Sequence, residues 1–322
     1  MVKRLVSGIK PTGELHLGNY LGAIKQWVEL QQDYDCFFFV ADYHALTTKP
    51  EPDRLRQDTL STLAMLVALG VDPRGSVLFL QSDIPEQAEL AWLLLNFTSV
   101  GALGRMTQYK EKSDRLGQNA GLFGYPVLMA SDVLTYDAEA VPVGEDQIQH
   151  LELAREIARS FNSHAGKIFK QPRPILNEGA RIMSLSNPAQ KMSKSIPGSA
   201  IGLLDDEDEV VRTIKKAVTQ TSPGRANEGV KNLLRIMEGL SSPETFLHFR
   251  DQQRHGTIRY SELKDQLIED VLDFLGPVQK AYHGLNGDPE KLRKIFARGA
   301  EAARPLAQQK LTQVKNALGL VD

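Results

Sequence analysis

The chain has 322 residues, a single cysteine, and 38 basic against 40 acidic side chains. At about 150 residues per domain that length fits roughly two domains, and 42% hydrophobic with 24% charged residues excludes a disordered or collagen-like chain. Cys36, being alone, can form no internal disulfide and excludes four-cysteine zinc and iron–sulfur sites, and the near-neutral charge means that a nucleic-acid partner must be met by a local basic patch.

Met1 to Gly8 is basic and lacks an apolar h-region, and no apolar run approaches the ~18 residues of a membrane span, so a reducing cytoplasm is expected. The segment Arg4–Ser7 predicts a short strand. Gly18–Gln31 has helical apolar spacing. Cys36–Ala41 (CFFFVA) predicts a strand buried on both faces. In Pro52–Leu69 a stripe of Leu55, Leu60, Leu63, Leu66 and Val67 predicts an amphipathic helix. Ser76–Gln81 predicts a third strand. Pro85–Phe97, Tyr125–Tyr136 and Glu145–Phe161 predict helices, with Ala138–Val143 a further strand. Trp27 and Trp92 fall at apolar helical positions and are expected in the core. Strand–helix alternation with short connections predicts an α/β, Rossmann-like parallel sheet. After Pro172 and Pro174 the β-branched runs stop. Glu207–Thr219, Val230–Leu240, Tyr260–Tyr282 and Pro289–Leu318 read as a C-terminal helical bundle, with the seam in Ser184–Gly202.

Two segments carry chemistry. Ser7-Gly8-Ile9-Lys10-Pro11-Thr12-Gly13-Glu14-Leu15-His16-Leu17-Gly18-Asn19-Tyr20 follows the first strand and opens the first helix. Free backbone N–H groups at such a junction attract phosphate. His16 and Asn19 are about one helical turn apart and can face the same group. Alone, this can also be a plain strand–helix turn with a surface histidine. Lys191-Met192-Ser193-Lys194-Ser195 sets two lysines among hydroxyls, suited to polyphosphate; alone, it reads as a solvated linker.

Together they resemble the paired signatures of class I aminoacyl-tRNA synthetases, and the resemblance extends along the whole chain. Gln81 to Glu86 (QSDIPE), Gly121 to Asp132 (GLFGYPVLMASD) and Val141 to Gln147 (VPVGEDQ) resemble the tryptophanyl members most. The resemblance implies a catalytic domain over 1–190, which binds ATP and tryptophan and contributes the dimer contact. It implies a helical tRNA anticodon-binding domain over 191–322, whose last helix is a candidate to pack back on the first. It implies activation of L-tryptophan by ATP, with release of pyrophosphate, then transfer to tRNA(Trp). No protein nucleophile is needed, and catalysis rests on positioning and charge stabilisation.

The same resemblance assigns residues. His16, Asn19, Lys191 and Lys194 would act on the phosphates. Lys10, Pro11, Thr12 and Gly18 would line the nucleotide, with Met192, Ser193 and Ser195 closing over pyrophosphate. Gly144, Glu145 and Asp146 would touch ribose and adenine, and Ile182 adenine by its backbone. For Glu145 a helix-start charge favoured by the dipole is an equal alternative, and for Ile182 a core position is. Mg²⁺ would travel with ATP, held by phosphates and water rather than by a protein metal site.

Asp132 is implied as the specificity residue. It stands among Leu128, Met129, Val133 and Leu134, and aspartate is rarely buried unless paired. A fixed carboxylate accepting the indole N–H would reject rings without a donor. The alternative is a carboxylate paired with a nearby Lys or Arg. Val6, Tyr125, Met129, Val141 and Val143 would wall the ring, Gln147 would meet the amino group, and His44 would touch the substrate or serve as a structural histidine.

The chain departs from the general signature where Asn19 replaces a final histidine, as is usual in tryptophanyl members, and where Lys10 stands in place of a common glutamine. Lys10 would add positive charge near the phosphates and alter the response to tryptophan-mimicking inhibitors, as in divergent second copies. Arg105 to Lys112 (RMTQYKEK) would lie near the dimer contact and the tRNA acceptor arm, or form a solvated face. Arg212, Lys215, Lys216 and Arg225 would position the anticodon arm without reading bases. The family implies a homodimer. The rival readings are a tyrosine-specific synthetase of the same fold, a small adenylyltransferase, and a non-catalytic paralogue.

Overall fold

A computed structural model of the chain describes residues 2–11, 13–110, 117, 119–176, 181–194, 196–219 and 228–321, with Asp146 described through its backbone alone. Thr12, Glu111, Lys112, Ser195 and Arg225, all given roles above, lie outside the described residues.

Strand β1 (Arg4–Ile9) leads through a turn to α1 (Leu17–Asn19), which continues through a π-helical turn, Tyr20–Ile24, into α2 (Lys25–Leu30). Next come β2 (Asp35–Val40), α3 (Asp42–Ala45), α4 (Pro52–Ala68), β3 (Val77–Leu80), α5 (Pro85–Leu95) and α6 (Val100–Gly104). Then follow α7 (Ala120–Leu134), β4 (Ala140–Val143), α8 (Ile148–Ala165) and β5 (Arg173–Leu176). The helical half holds α9 (Glu207–Lys216), α10 (Glu228–Leu240), α11 (Pro243–His255), α12 (Tyr260–Asn286) and α13 (Pro289–Leu318).

The five strands form one parallel sheet in the order β3-β2-β1-β4-β5. β2 is buried from Cys36 to Val40, as its unbroken apolar run requires. Burial pushes the Cys36 thiol up to about 12, which leaves it inert as a nucleophile. β5 escaped the sequence pattern because of Pro172 and Pro174. As the edge strand of the sheet it tolerates a proline that no interior strand would accommodate as readily. Helix α7 begins five residues before the predicted Tyr125, because Asn119 caps it by accepting from the Leu122 N–H at 2.8 Å. Trp27 is buried and stacked on Phe38, but Trp92 is 68% exposed, against expectation. Its neighbours Leu90, Ala91 and Leu94 take the buried face of α5 and turn the indole outward.

The seam is packed. Ile182, Leu185, Met192, Ile201 and Leu203 sit in an apolar cluster that runs without a break from Leu5 and Phe38 to Leu263 and Val271. The last helix, α13, crosses back onto the sheet. A Cβ built on Gly299 would lie 1.9 Å from the Leu78 carbonyl oxygen of β3, so only glycine admits the approach. Arg304 Nη2 donates to the Asp83 carbonyl at 2.7 Å, and the buried Lys310 pairs with Asp137 at 2.7 Å. No helix among the described residues is long and apolar enough to cross a membrane.

Candidate active site

The order of the sheet reverses between β1 and β4, the place where open α/β sheets bind ligands. There the two strands part after the single register pair Leu5↔Ala140. Pro142 contributes to the parting, because it has no N–H to offer a neighbour. A crevice of about 890 Å³ opens at the strand ends, within the range of small-ligand sites. Val6, Val141, Val143, Met129 and Tyr125 line it, with Asp132, His44 and Gln147. Every residue assigned above to the aromatic substrate therefore meets in one cavity.

Asp132 is 1% exposed. Its partners are neither Lys nor Arg. His44 Nε2 donates to Oδ2 at 2.8 Å, and Gln81 and Gln87 donate to Oδ1 at 2.8 and 3.0 Å. A carboxylate oxygen accepts, so in this contact the His44 ring acts as the donor. Across the crevice, the Tyr125 hydroxyl donates to Gln108 Oε1 at 3.2 Å and shares a 2.7 Å hydrogen bond with His150 Nε2. The Lys10 ammonium stands 5.6 Å from the Tyr125 ring centroid.

The nucleotide residues fall in two places. Lys10, Glu145 and Lys191 line the crevice itself. Gly144 precedes the 3-10 turn Glu145–Gln147 that carries Glu145 and the Asp146 backbone. His16, Gly18 and Asn19 lie at the start of α1, where the His16 N–H donates to Asn19 Oδ1 at 3.0 Å. A Cβ on Gly18 would meet the His16 ring at 3.0 Å and the Met192 sulfur at 3.3 Å, so the lysine loop packs directly on this turn. Backbone bonds Leu17 N–H to Ile201 O and Leu203 N–H to Leu15 O fasten the two segments. Lys194 Nζ pairs with Glu14 at 2.6 Å and Asp205 at 3.4 Å. Ser193 donates its N–H to Ser199 Oγ at 3.2 Å. Ile182 is buried, and its carbonyl accepts from the Met192 N–H at 3.2 Å, which places its side chain in the core. Pro11 is buried beside the turn.

The chain matches the family described as tRNA synthetases class I (W and Y) over residues 2–276. It is 45% identical to the tryptophan--tRNA ligase of Caldanaerobacter subterraneus, over 99% of both chains. It is also 45% identical to the tryptophan--tRNA ligase of Helicobacter pylori, again over 99% of each. The crystal structure of the Campylobacter jejuni tryptophanyl-tRNA synthetase complexed with ADP and tryptophan superposes with a TM-score of 0.85 at 36% identity, covering 98% of this chain and 100% of that one. The Mycoplasma pneumoniae tryptophanyl-tRNA synthetase gives 0.90 at 33%, covering 100% and 99%. The chain belongs to the class I tRNA synthetases.

Ser7, Gln81 and Gln108 stand in segments singled out by the sequence without a role of their own there, and the buried Gln87 and the crevice residues Gln149 and Arg181 were not singled out at all. Gln81 ends an apolar strand and opens a turn, a position at a sheet edge where a polar residue in a hydrophobic setting could have been noticed. Gln149 had no such mark; it is fixed by the Thr107 N–H, which donates to its Oε1 at 3.0 Å.

Burial, and next the charge of Lys194, push the His16 imidazole down from 6.5 to about 4. His16 is therefore neutral in the folded synthetase at physiological pH. The unfolded chain takes up its proton first, so the stability His16 contributes is present above about 6.5 and is lost as pH falls toward 4. Replacement His16→Gln is expected to flatten this part of the acid limb. Urea midpoints of both proteins between those pH values check it, and parallel curves would count against the assignment.

Proposed function

We propose that this synthetase is a tryptophan--tRNA ligase. It joins L-tryptophan to ATP, giving tryptophanyl-adenylate and pyrophosphate, and then passes the aminoacyl group to tRNA(Trp). The observation that carries the reading is a buried carboxylate, Asp132, that faces an apolar crevice with donors on both oxygens. Such a group keeps an acceptor position for one further hydrogen bond, which an indole N–H supplies. A phenol also donates, which is the tyrosine alternative. The 45% identity to tryptophan ligases over nearly the full chain favours indole.

In this reading Val6, Met129, Val141 and Val143 sandwich the ring, and His44 completes the carboxylate's setting. Tyr125 adds a further wall, Gln147 receives the substrate amino group, and the tryptophan carboxylate attacks the α-phosphorus. The charge that develops on pyrophosphate falls to Lys191 and Lys194, because the neutral His16 contributes a hydrogen bond and no charge. Asn19 spends its carbonyl on the His16 N–H, so its NH₂ is the half that serves the phosphates. Lys194 exchanges Glu14 for pyrophosphate as the loop engages. Lys10, Pro11, Thr12, Gly18, Met192, Ser193 and Ser195 frame the phosphates, and Gly144, Glu145, Asp146 and the Ile182 backbone frame the nucleoside. Mg²⁺ enters as part of the nucleotide substrate; among the described residues no cluster of three or more His, Cys, Asp or Glu is placed to hold a metal. The domain reading of 1–190 and 191–322 follows, with α13 shared by both.

ATP–pyrophosphate exchange with tryptophan and tyrosine in parallel tests the assignment. Exchange with tryptophan alone is expected; exchange with tyrosine alone would replace the substrate, and with neither would end the enzyme reading.

The protein functions as a homodimer in this reading. Trp92 (68% exposed), Leu46 (54%) and Leu95 (37%) line one shallow apolar groove with Ala91 and Leu128. The double change Trp92→Glu with Leu95→Glu is expected to halve the mass seen in sedimentation. An unchanged mass would assign the contact elsewhere.

A further inference from the structure

Asp132 is held from behind by two amides that the reading above leaves without a role. Gln81 opens the 3-10 turn after β3, and Gln87 lies in the first turn of α5; both are 0% exposed. Their Nε2 atoms converge on the same oxygen, Oδ1, at 2.8 and 3.0 Å. Each carboxylate oxygen has two acceptor positions. Oδ1 is therefore full. Oδ2 has given one position to His44 at 2.8 Å and keeps one.

The Gln81 amide cannot turn round freely. Gln81 Oε1 accepts from the His44 backbone N–H at 3.4 Å, which points its NH₂ group at Asp132. The Gln87 backbone carbonyl accepts from Ser131 Oγ at 2.6 Å, tying α5 to the residue beside Asp132 on α7. Two buried donors on one oxygen do more than neutralise a desolvated charge. They fix the plane of the carboxylate and leave a single direction for a new donor.

We propose that Gln81 and Gln87 are positioning residues for substrate selection: by filling Oδ1 they direct the last acceptor position of Oδ2 to the ring N–H of the substrate. The proposal rests on the reading of Asp132 as the acceptor for that ring. Without the amides the carboxylate rotates, and a ring N–H loses its advantage over a ring of equal shape that has none.

The test is ATP–pyrophosphate exchange with L-tryptophan and with 3-benzothienyl-L-alanine, in which sulfur replaces the ring N–H. Gln81→Met and Gln87→Met remove the donors at similar volume. Each is expected to lower kcat/KM for tryptophan by about 10-fold or more, through KM, while the sulfur analogue changes by less than about 3-fold. Equal losses for both substrates, or no change in their ratio, would overturn the proposal.

A variant that keeps the shape guards against misfolding. In Gln87→Glu a second carboxyl faces Oδ1, and two carboxylates this close share a proton. The titratable groups around them are His44, in contact with Asp132, and Tyr136, which feels the charges of Asp132 and Glu86. The expected result is a tryptophan KM that rises with pH between about 5.5 and 8 relative to the unmodified enzyme. Superimposable profiles would overturn the proposal. Asp132→Asn separates the two layers. If it leaves the tryptophan-to-analogue ratio unchanged, Asp132 is not the acceptor and both readings fall. If it collapses the ratio and the glutamine variants do not, only the positioning role falls.

Discussion

Replacing Asp132 with alanine is expected to lower kcat/KM for tryptophan by about 10³-fold in ATP–pyrophosphate exchange. Two losses combine. The indole N–H enters an apolar crevice with no acceptor. His44 Nε2 and the amides of Gln81 and Gln87 also lose the oxygen atoms they now bind. Each buried donor left without a partner costs roughly 1–3 kcal/mol, and about 1.4 kcal/mol is a factor of ten. Some of that cost falls on folding rather than on catalysis, so thermal unfolding should be recorded alongside the kinetics. A change in kcat/KM below about threefold would be incompatible with a substrate-binding carboxylate.

Gly299→Val is expected to destabilise the protein by roughly 3 kcal/mol or more and to lower Tm by on the order of 5–10 °C. The added Cβ would sit 1.9 Å from the Leu78 carbonyl oxygen, an atom that cannot move without breaking β3 from its neighbour β2. The helix must lift instead. Ala300, Ala303 and Ala307 would then leave the cluster they share with Phe79 and Ile84, and Arg304 would lose Asp83. Differential scanning calorimetry decides it. A Tm within about 2 °C of the parent would show that α13 contributes little to the fold.

Local patterns carried the parallel sheet well. The apolar run at Cys36 announced β2, and the stripe from Leu55 to Val67 announced α4. What escaped them was set by position in the assembled sheet. β5 is spelled with a proline that its place at the sheet edge accommodates. Trp92 looks like core on a helical wheel, yet the neighbouring leucines took the core. The crevice residues were legible because their motifs stand at strand ends, where topology dictates a ligand site. Gln81 and Gln87 were not, since their role depends on Asp132, which lies 51 and 45 residues further along the chain.

The return of α13 to β3 also bears on how the chain acquires its structure. The bond from Arg304 to Asp83 closes a span of 221 residues. A ribosome extends the chain from its N-terminus, so the whole helical half is made before β3 receives its cover. Until then the face of β3 around Phe79 is apolar and unshielded. Contacts this distant in sequence also slow folding, because a long loop must close before they form. The first half therefore reaches its final form only once α13 has been made and has crossed back onto it.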